Sequence, residues 1–156
     1  MLLLTLPGPA FLYQGDEIGQ GEGPPGSRYD RAGRDRHRHP MQWDPSPTGG
    51  FTAGDPWLPA VDPAERNVAD QRDDPASTLS LVRELIGLRH DLGAGFELLD
   101  AADGVLAFRR GEHTIAINTT AEPLPAPLSG EPRLTTEAGA LRDGVLAGHA
   151  GAIALD

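Results

Sequence analysis

Five arginines fall within eleven residues: Arg28, Arg31, Arg34, Arg36 and Arg38, with His37 and His39 beside the last two. Such a cluster can neutralise phosphates, hold hydroxyls and carboxylates through fixed guanidinium donors, or use its imidazoles to ligate a metal. Asp30 and Asp35 interrupt the run, Tyr29 is its only aromatic member, and the whole chain has a formal charge of −10. An ion-paired or solvated loop is therefore expected, with neither nucleic acid nor an anionic membrane as partner. His37-x-His39 with Asp35 lacks a third ligand fixed on a helix or strand, so no metal is expected there. Asp16 and Glu17 are adjacent carboxylates; leaving an extended segment they point to opposite sides and do not converge on one bond.

Several chemistries are excluded. The chain has no Cys, and all thirteen basic residues are Arg, which removes thiol catalysis, disulfides, a Schiff-base lysine and a P-loop lysine. Gly21-x-Gly23-x-x-Gly26 formally matches a dinucleotide fingerprint, but Pro24-Pro25 sits inside it and no helix follows. None of the five serines lies in a G-x-S-x-G elbow. No run approaches the roughly 18 apolar residues that span a bilayer.

The elements that must position these residues are uneven. Met1–Leu6 is apolar on nearly every side and runs into Pro7-Gly8-Pro9, as the last turns of a buried helix would. It has no basic stretch before it and is too short for a leader. Ala10-Phe11-Leu12-Tyr13 reads as a strand buried on both faces. Residues 15–74 have no periodicity and are dense in Gly, Pro, Asp and Arg. A loop that long is functional or lies on a scaffold. Asp74-Pro75 offers a cap, and Leu81, Leu85, Leu88 and Leu92 then mark an amphipathic helix of about five turns, with Gly93 as a left-handed C-terminal cap. Beyond Gly95 the period changes to two: strands are expected at 96–99, 105–109 and 114–118. Weaker ones are expected at 133–136, at 141–146 around an Asp143-Gly144 turn, and at 152–155, with 122–127 as a loop. A small antiparallel sheet or sandwich is expected there.

Three segments resemble the family 13 α-glucosidases, including oligo-1,6-glucosidases, of the α-amylase superfamily. Residues 3–19, with Gln14-Gly15-Asp16-Glu17-Ile18-Gly19, resemble helix seven, the turn and strand eight of the family's (β/α)8 barrel. Arg38-His39-Pro40-Met41-Gln42-Trp43-Asp44 with Gly50-Phe51 and Pro56-Trp57-Leu58-Pro59 resembles the loop after strand eight, usually written R-T-P-M-Q-W-D. Asn67-Val68, Gln71, Asp74-Pro75-Ala76-Ser77 and Leu85-Ile86-x-Leu88-Arg89 match the entry to helix eight and that helix.

The resemblance implies a fold: a remnant of a (β/α)8 barrel over 1–93, then a small all-β domain over 94–156. Barrel enzymes keep their sites in the loops at the C-terminal ends of the strands, which gives the long loop a purpose. It also implies that Arg38 contacts a sugar, with Asp35 and Gln42 in the same site, and that Asp16-Glu17 hydrogen-bonds at the barrel mouth. Met41, Trp43 and Trp57 could line the site, although a Trp in a Pro-rich loop is expected to anchor it. His39 replaces the family's Thr. Retaining glycosidases need two carboxylates about 5–5.5 Å apart, which in the family come from strands four and five, with a third Asp in an N-H-D motif. None of these motifs occurs here. The chain is thus expected to be a C-terminal piece with no catalytic residue of its own, inactive without the missing N-terminal barrel segment. The parent is expected to be a cytoplasmic hydrolase of malto- or isomalto-oligosaccharides. No redox or nucleotide cofactor is implied, and calcium in the parent stays open. Two alternatives remain: a non-catalytic carbohydrate-binding module, and a transglycosylase or isomerase such as trehalose synthase.

Overall fold

The apolar opening folds as one helical turn, α1 (Leu2–Thr5), which ends where Leu6 becomes extended ahead of Pro7. The computed structural model describes residues 1–26 and 30–155. Contacts divide the chain into two compact units, one of Met1–Phe11 with Arg83–Asp156 and one of Leu12–Val82. The units cut the chain differently from the 1–93 and 94–156 division, because Arg110 of the sheet-forming part binds the carbonyls of Thr5, Leu6, Leu92 and Gly93.

Residues 10–13 are a correction to the sequence reading. They form no strand, and Phe11, Leu12 and Tyr13 are 79%, 41% and 54% exposed. A strand exists only through its ladder, and no other segment among the described residues pairs with this one.

The helix expected from the leucine spacing is α3 (Thr78–Arg89), preceded by the short α2 (Val68–Gln71). It starts later than Asp74-Pro75 suggests. Asp74 closes a turn by accepting from the Ala76 amide (2.9 Å), and Ser77 Oγ accepts from the Ser80 amide (3.1 Å), which makes Ser77 the cap. Helical geometry also stops at Arg89, short of Leu92. Gly93 is not a left-handed cap: its φ is not positive, and the need for glycine is a close approach, since a Cβ there would come 3.0 Å from the Gly111 backbone.

Eight strands follow: β1 (Glu97–Leu99), β2 (Val105–Arg110), β3 (His113–Asn118), β4 (Leu124–Pro125), β5 (Leu134–Thr135), β6 (Leu141–Arg142), β7 (Val145–Leu146) and β8 (Gly151–Leu155). One antiparallel sheet has the order β1-β2-β3-β8-β5 and a smaller one the order β4-β7-β6. The register aligns Leu98, Phe108, Ile115, Ile153 and Leu134 in one row across the first sheet. Ala107, Ala116 and Ala152 form the next row, on the opposite face. That alanine row packs with Leu128, Ala140 and Leu146 in one buried cluster, the small side chains letting the second layer approach. Asp143 and Gly144 both have positive φ (50° and 74°) and join β6 to β7, as a two-residue hairpin turn requires. β4 lies where a loop is expected; it is two residues long and ends on a proline at a sheet edge, where no amide is needed.

Two arginines hold this unit's loose ends. Arg110, 7% exposed, donates to the Gly93 carbonyl from Nε and Nη2 (3.1 and 2.7 Å), to Thr5 and Leu6 from Nη1 (2.9 and 3.3 Å) and to Leu92 from Nη2 (3.4 Å). Burial first, and then the nearby Arg89 charge, pull its pKa below the ordinary value, yet an arginine stays charged at neutral pH. Arg89 donates to the carbonyls of Leu4 (2.6 Å), Leu6 (3.0 Å) and Gly8. Carbonyls at a helix end lack intrahelical partners, and the planar fork reaches several at once.

The second unit has a small apolar core of Ile18, Met41, Val68 and Leu79. Its long connection is irregular apart from α2 and single 3₁₀ turns at Asp16–Ile18 and Asp35–His37. Polar side chains take over the work that a ladder does elsewhere. Asn67 is fully buried: its Oδ1 accepts from the Asp70 amide (2.9 Å) and its Nδ2 donates to the Pro63 carbonyl (2.9 Å). Gln71 donates to the Ile18 carbonyl (2.9 Å) and accepts from the Leu79 amide (3.1 Å).

Candidate functional site

Gln42 is the pin of the long loop. Its side chain is fully buried, and Nε2 donates to Asp62 Oδ1 (2.9 Å) and the Arg66 carbonyl (2.6 Å). Oε1 accepts from the Val61 and Asp62 amides, both at 2.9 Å. An amide group offers two donor hydrogens and two acceptor positions, so Gln42 has none left for a ligand. Its backbone carbonyl accepts from Val68 (3.0 Å), and Trp43 closes onto Gly49 (2.7 Å). Inside that closure the Ser46 hydroxyl, and then the Ser46 amide, hold the Asp44 carboxyl below the usual carboxylate range.

His39 is 2% exposed, and its Nδ1 lies 2.7 Å from the Pro59 carbonyl. A carbonyl can only accept, so Nδ1 carries a hydrogen and donates it there. Nε2 faces Gly23, where any Cβ would overlap the imidazole. A Cβ at Gly26 would likewise overlap the Asp35 carboxylate. Two glycines of the pattern that mimics a dinucleotide fingerprint, Gly23 and Gly26, therefore serve close packing onto buried side chains, and the Gly23 amide itself donates to the Arg36 carbonyl (2.8 Å).

Against this frame the arginine run becomes legible. Arg36 pairs with Glu22 (3.0 Å). Arg38 reaches Asp35 Oδ1 at 3.6 Å, one turn away, the arginine side chain 41% exposed and the aspartate side chain 3% exposed. Asp30 caps the same turn, accepting from the Arg34 and Asp35 amides at 2.9 Å each. Of the groups that hold the Asp30 carboxyl below its ordinary range, the Asp35 amide comes first, followed by the Arg34 and Ala32 amides and the Arg38 charge. Arg28 and Tyr29 lie outside the described residues. Asp30, Arg31, Arg34, Asp35, Arg38 and Trp57 line a cleft of about 300 Å³. Arg38 and Asp35 thus come together at one surface, while Gln42 is buried and spent on the loop backbone.

Asp16 and Glu17 both bond to amides of their own turn. Asp16 Oδ2 accepts from the Tyr13 amide and Glu17 Oε2 from the Gly15 amide, both at 2.8 Å. Among the described residues no group of three His, Asp or Glu side chains is placed to hold a metal, and no helix is long and apolar enough to cross a membrane. One contributor escaped the sequence reading. Asp62 shares its carboxylate between Gln42 and Arg66, and its spacing of four from Arg66 is the signal that could have found it. Trp57 is 71% exposed and anchors nothing by burial.

Residues 1–94 match the family model described as "Alpha amylase, catalytic domain". The chain belongs to the α-amylase family, glycoside hydrolase family 13. It is 34% identical over 144 residues to a glucan 1,6-alpha-glucosidase of Streptococcus pneumoniae, an alignment covering 70% of this chain and 27% of that protein. An oligo-1,6-glucosidase of Parageobacillus thermoglucosidasius is 50% identical over 64 residues, covering 38% of this chain and 11% of the relative. A trehalose synthase/amylase of Mycobacterium tuberculosis is 34% identical over 146 residues, covering 81% and 23%. Among solved structures, the trehalulose synthase of Pseudomonas mesoacidophila superposes with a TM-score of 0.78 at 26% identity, covering 97% of this chain and 36% of that one. The chain therefore spans about a quarter of the length of the curated relatives it matches over most of its own length.

Proposed function

We propose that this chain supplies the end of the barrel (residues 1–93) and the C-terminal β-domain (94–156) of a cytoplasmic α-glucosidase, one that hydrolyses terminal α-glucosidic bonds of small malto- or isomalto-oligosaccharides with retention. Arg38 is its sugar contact. The observation behind this is the arrangement at the arginine turn: a half-exposed arginine paired with the buried Asp35 and set on a loop pinned by Gln42 and His39. Positioned donors are what a site needs to hold hydroxyls while a bond is broken. Residues 10–13 are the strand the rest of the barrel would pair, which accounts for the exposure of Phe11 and Tyr13. The carboxylate pair that performs the chemistry comes from elsewhere, because Asp16 and Glu17 are committed to amides of their own turn. By itself the chain turns nothing over. Similarity to a trehalose synthase/amylase and a trehalulose synthase favours one second reading, transfer of the glucosyl group to a sugar instead of water.

The role of Arg38 is tested by grafting residues 12–82 into the Streptococcus pneumoniae relative in place of the matching segment and measuring glucose release from isomaltose. Arg38→Ala in that chimera is expected to lower kcat/KM about 100-fold, the effect of two or more lost charge-assisted hydrogen bonds, and Arg38→Lys is expected to recover little of it. Unchanged kcat/KM in the alanine variant would take Arg38 out of the site.

A further inference from the structure

Trp57 stands open on a backbone that is fixed without its help. The next residue, Leu58, is buried, the Pro59 carbonyl meets His39 Nδ1 at 2.7 Å, and the Val61 and Asp62 amides end on Gln42. The indole itself is 71% exposed. A tryptophan anchoring a proline-rich loop would be buried in it; this one is displayed. A displayed aromatic ring at a cleft wall offers a flat face for a ligand to rest on. It forms one wall of the cleft of about 300 Å³ whose other walls include Asp30, Arg31, Arg34, Asp35 and Arg38, a volume at the lower end of small-molecule sites.

The chemistry of these walls selects the ligand. An aromatic face attracts the weakly positive C–H face of a saturated ring, and a guanidinium beside it donates to hydroxyls. Asp30 and Asp35 offset two of the cleft's three guanidiniums, those of Arg31, Arg34 and Arg38, so its walls carry little net charge with which to hold a phosphate. We propose that Trp57 is the platform of a sugar subsite: a neutral pyranose rests its C–H face on the indole and directs its hydroxyls to Arg38. This rests on the reading of the loop as a glucoside-binding surface, and it assigns Trp57 a positioning and specificity role that the sequence motif alone did not give it.

The chain has two tryptophans, so a ¹⁵N spectrum contains two indole N–H signals, and Trp57→Ala identifies which belongs to Trp57. Isomaltose and maltose are titrated at micromolar protein into the full 156-residue chain, with far-UV circular dichroism checking the fold of each variant. The Trp57 signal is expected to shift and saturate. Backbone signals of the cleft should need about tenfold more sugar in Trp57→Ala, while the aromatic variant Trp57→Phe stays within about threefold. Arg38→Ala should weaken the response by a similar factor. If sugar moves the cleft signals in an Arg38-dependent way and Trp57→Ala changes nothing, the platform is wrong and the reading of the loop survives. If no signal responds to either sugar in the wild-type chain, both are overturned.

Discussion

Gln42→Leu is expected to melt the long loop while leaving the β-sheets folded. Leucine keeps the volume and removes all four hydrogen bonds that Gln42 makes to Val61, Asp62 and Arg66. Each buried polar group left without a partner costs about 1–3 kcal/mol, so the loss is expected at about 3–5 kcal/mol, a large share of a typical folding stability. Both tryptophans lie in the unit of Leu12–Val82, so tryptophan emission reads this unit and far-UV circular dichroism weights the helix and strands. In urea the emission transition should move well below the dichroism transition. Gln42→Glu should do no better, because it keeps the two acceptor bonds but faces the Arg66 carbonyl and the Asp62 carboxylate with another acceptor. A shift under about 0.5 kcal/mol, the size of an ordinary surface substitution, would show that Gln42 does not hold the loop.

Arg110→Met is expected to have the complementary effect. Methionine preserves much of the aliphatic packing and removes five donated hydrogen bonds, leaving the carbonyls of Thr5, Leu92 and Gly93 without the fork that binds them. The expected cost is again about 3–5 kcal/mol, seen this time as a lowered dichroism transition. Arg110→Lys should recover less than half, since a single ammonium cannot span carbonyls on both α1 and the segment after α3. An unchanged dichroism midpoint in the methionine variant would mean that α1 is held by Arg89 alone.

How much of this was legible in the sequence depends on whether a signal is local. The apolar face of α3 was readable because leucines at helical spacing carry it; its start was misplaced because Asp74 and Ser77 both cap, and the structure uses Ser77 for the helix. The Asp143-Gly144 turn was readable because few residues accept two successive positive φ angles. The pairing of Arg38 with Asp35 follows from a spacing of three. Residues 10–13 were not readable as exposed, since an apolar run says "buried" whether or not the partner strands are present. Gln42 was read as a ligand-binding residue because a polar side chain in coil looks available until its partners, 19 to 24 residues away, are known. The glycines at 23 and 26 looked like a phosphate loop because the motif records the absence of a Cβ, not what approaches the gap.

The most direct test of the account is an α-glucosidase assay of the purified 156-residue chain, with p-nitrophenyl α-glucoside and isomaltose as substrates. No release above the buffer rate is expected, at any concentration of chain, because on the reading proposed above the cleaving carboxylate pair comes from elsewhere in the barrel. Turnover that follows the protein through purification and is lost in Asp16→Asn or Glu17→Gln would contradict the account, placing catalytic carboxylates in the turn where the structure assigns them to backbone amides.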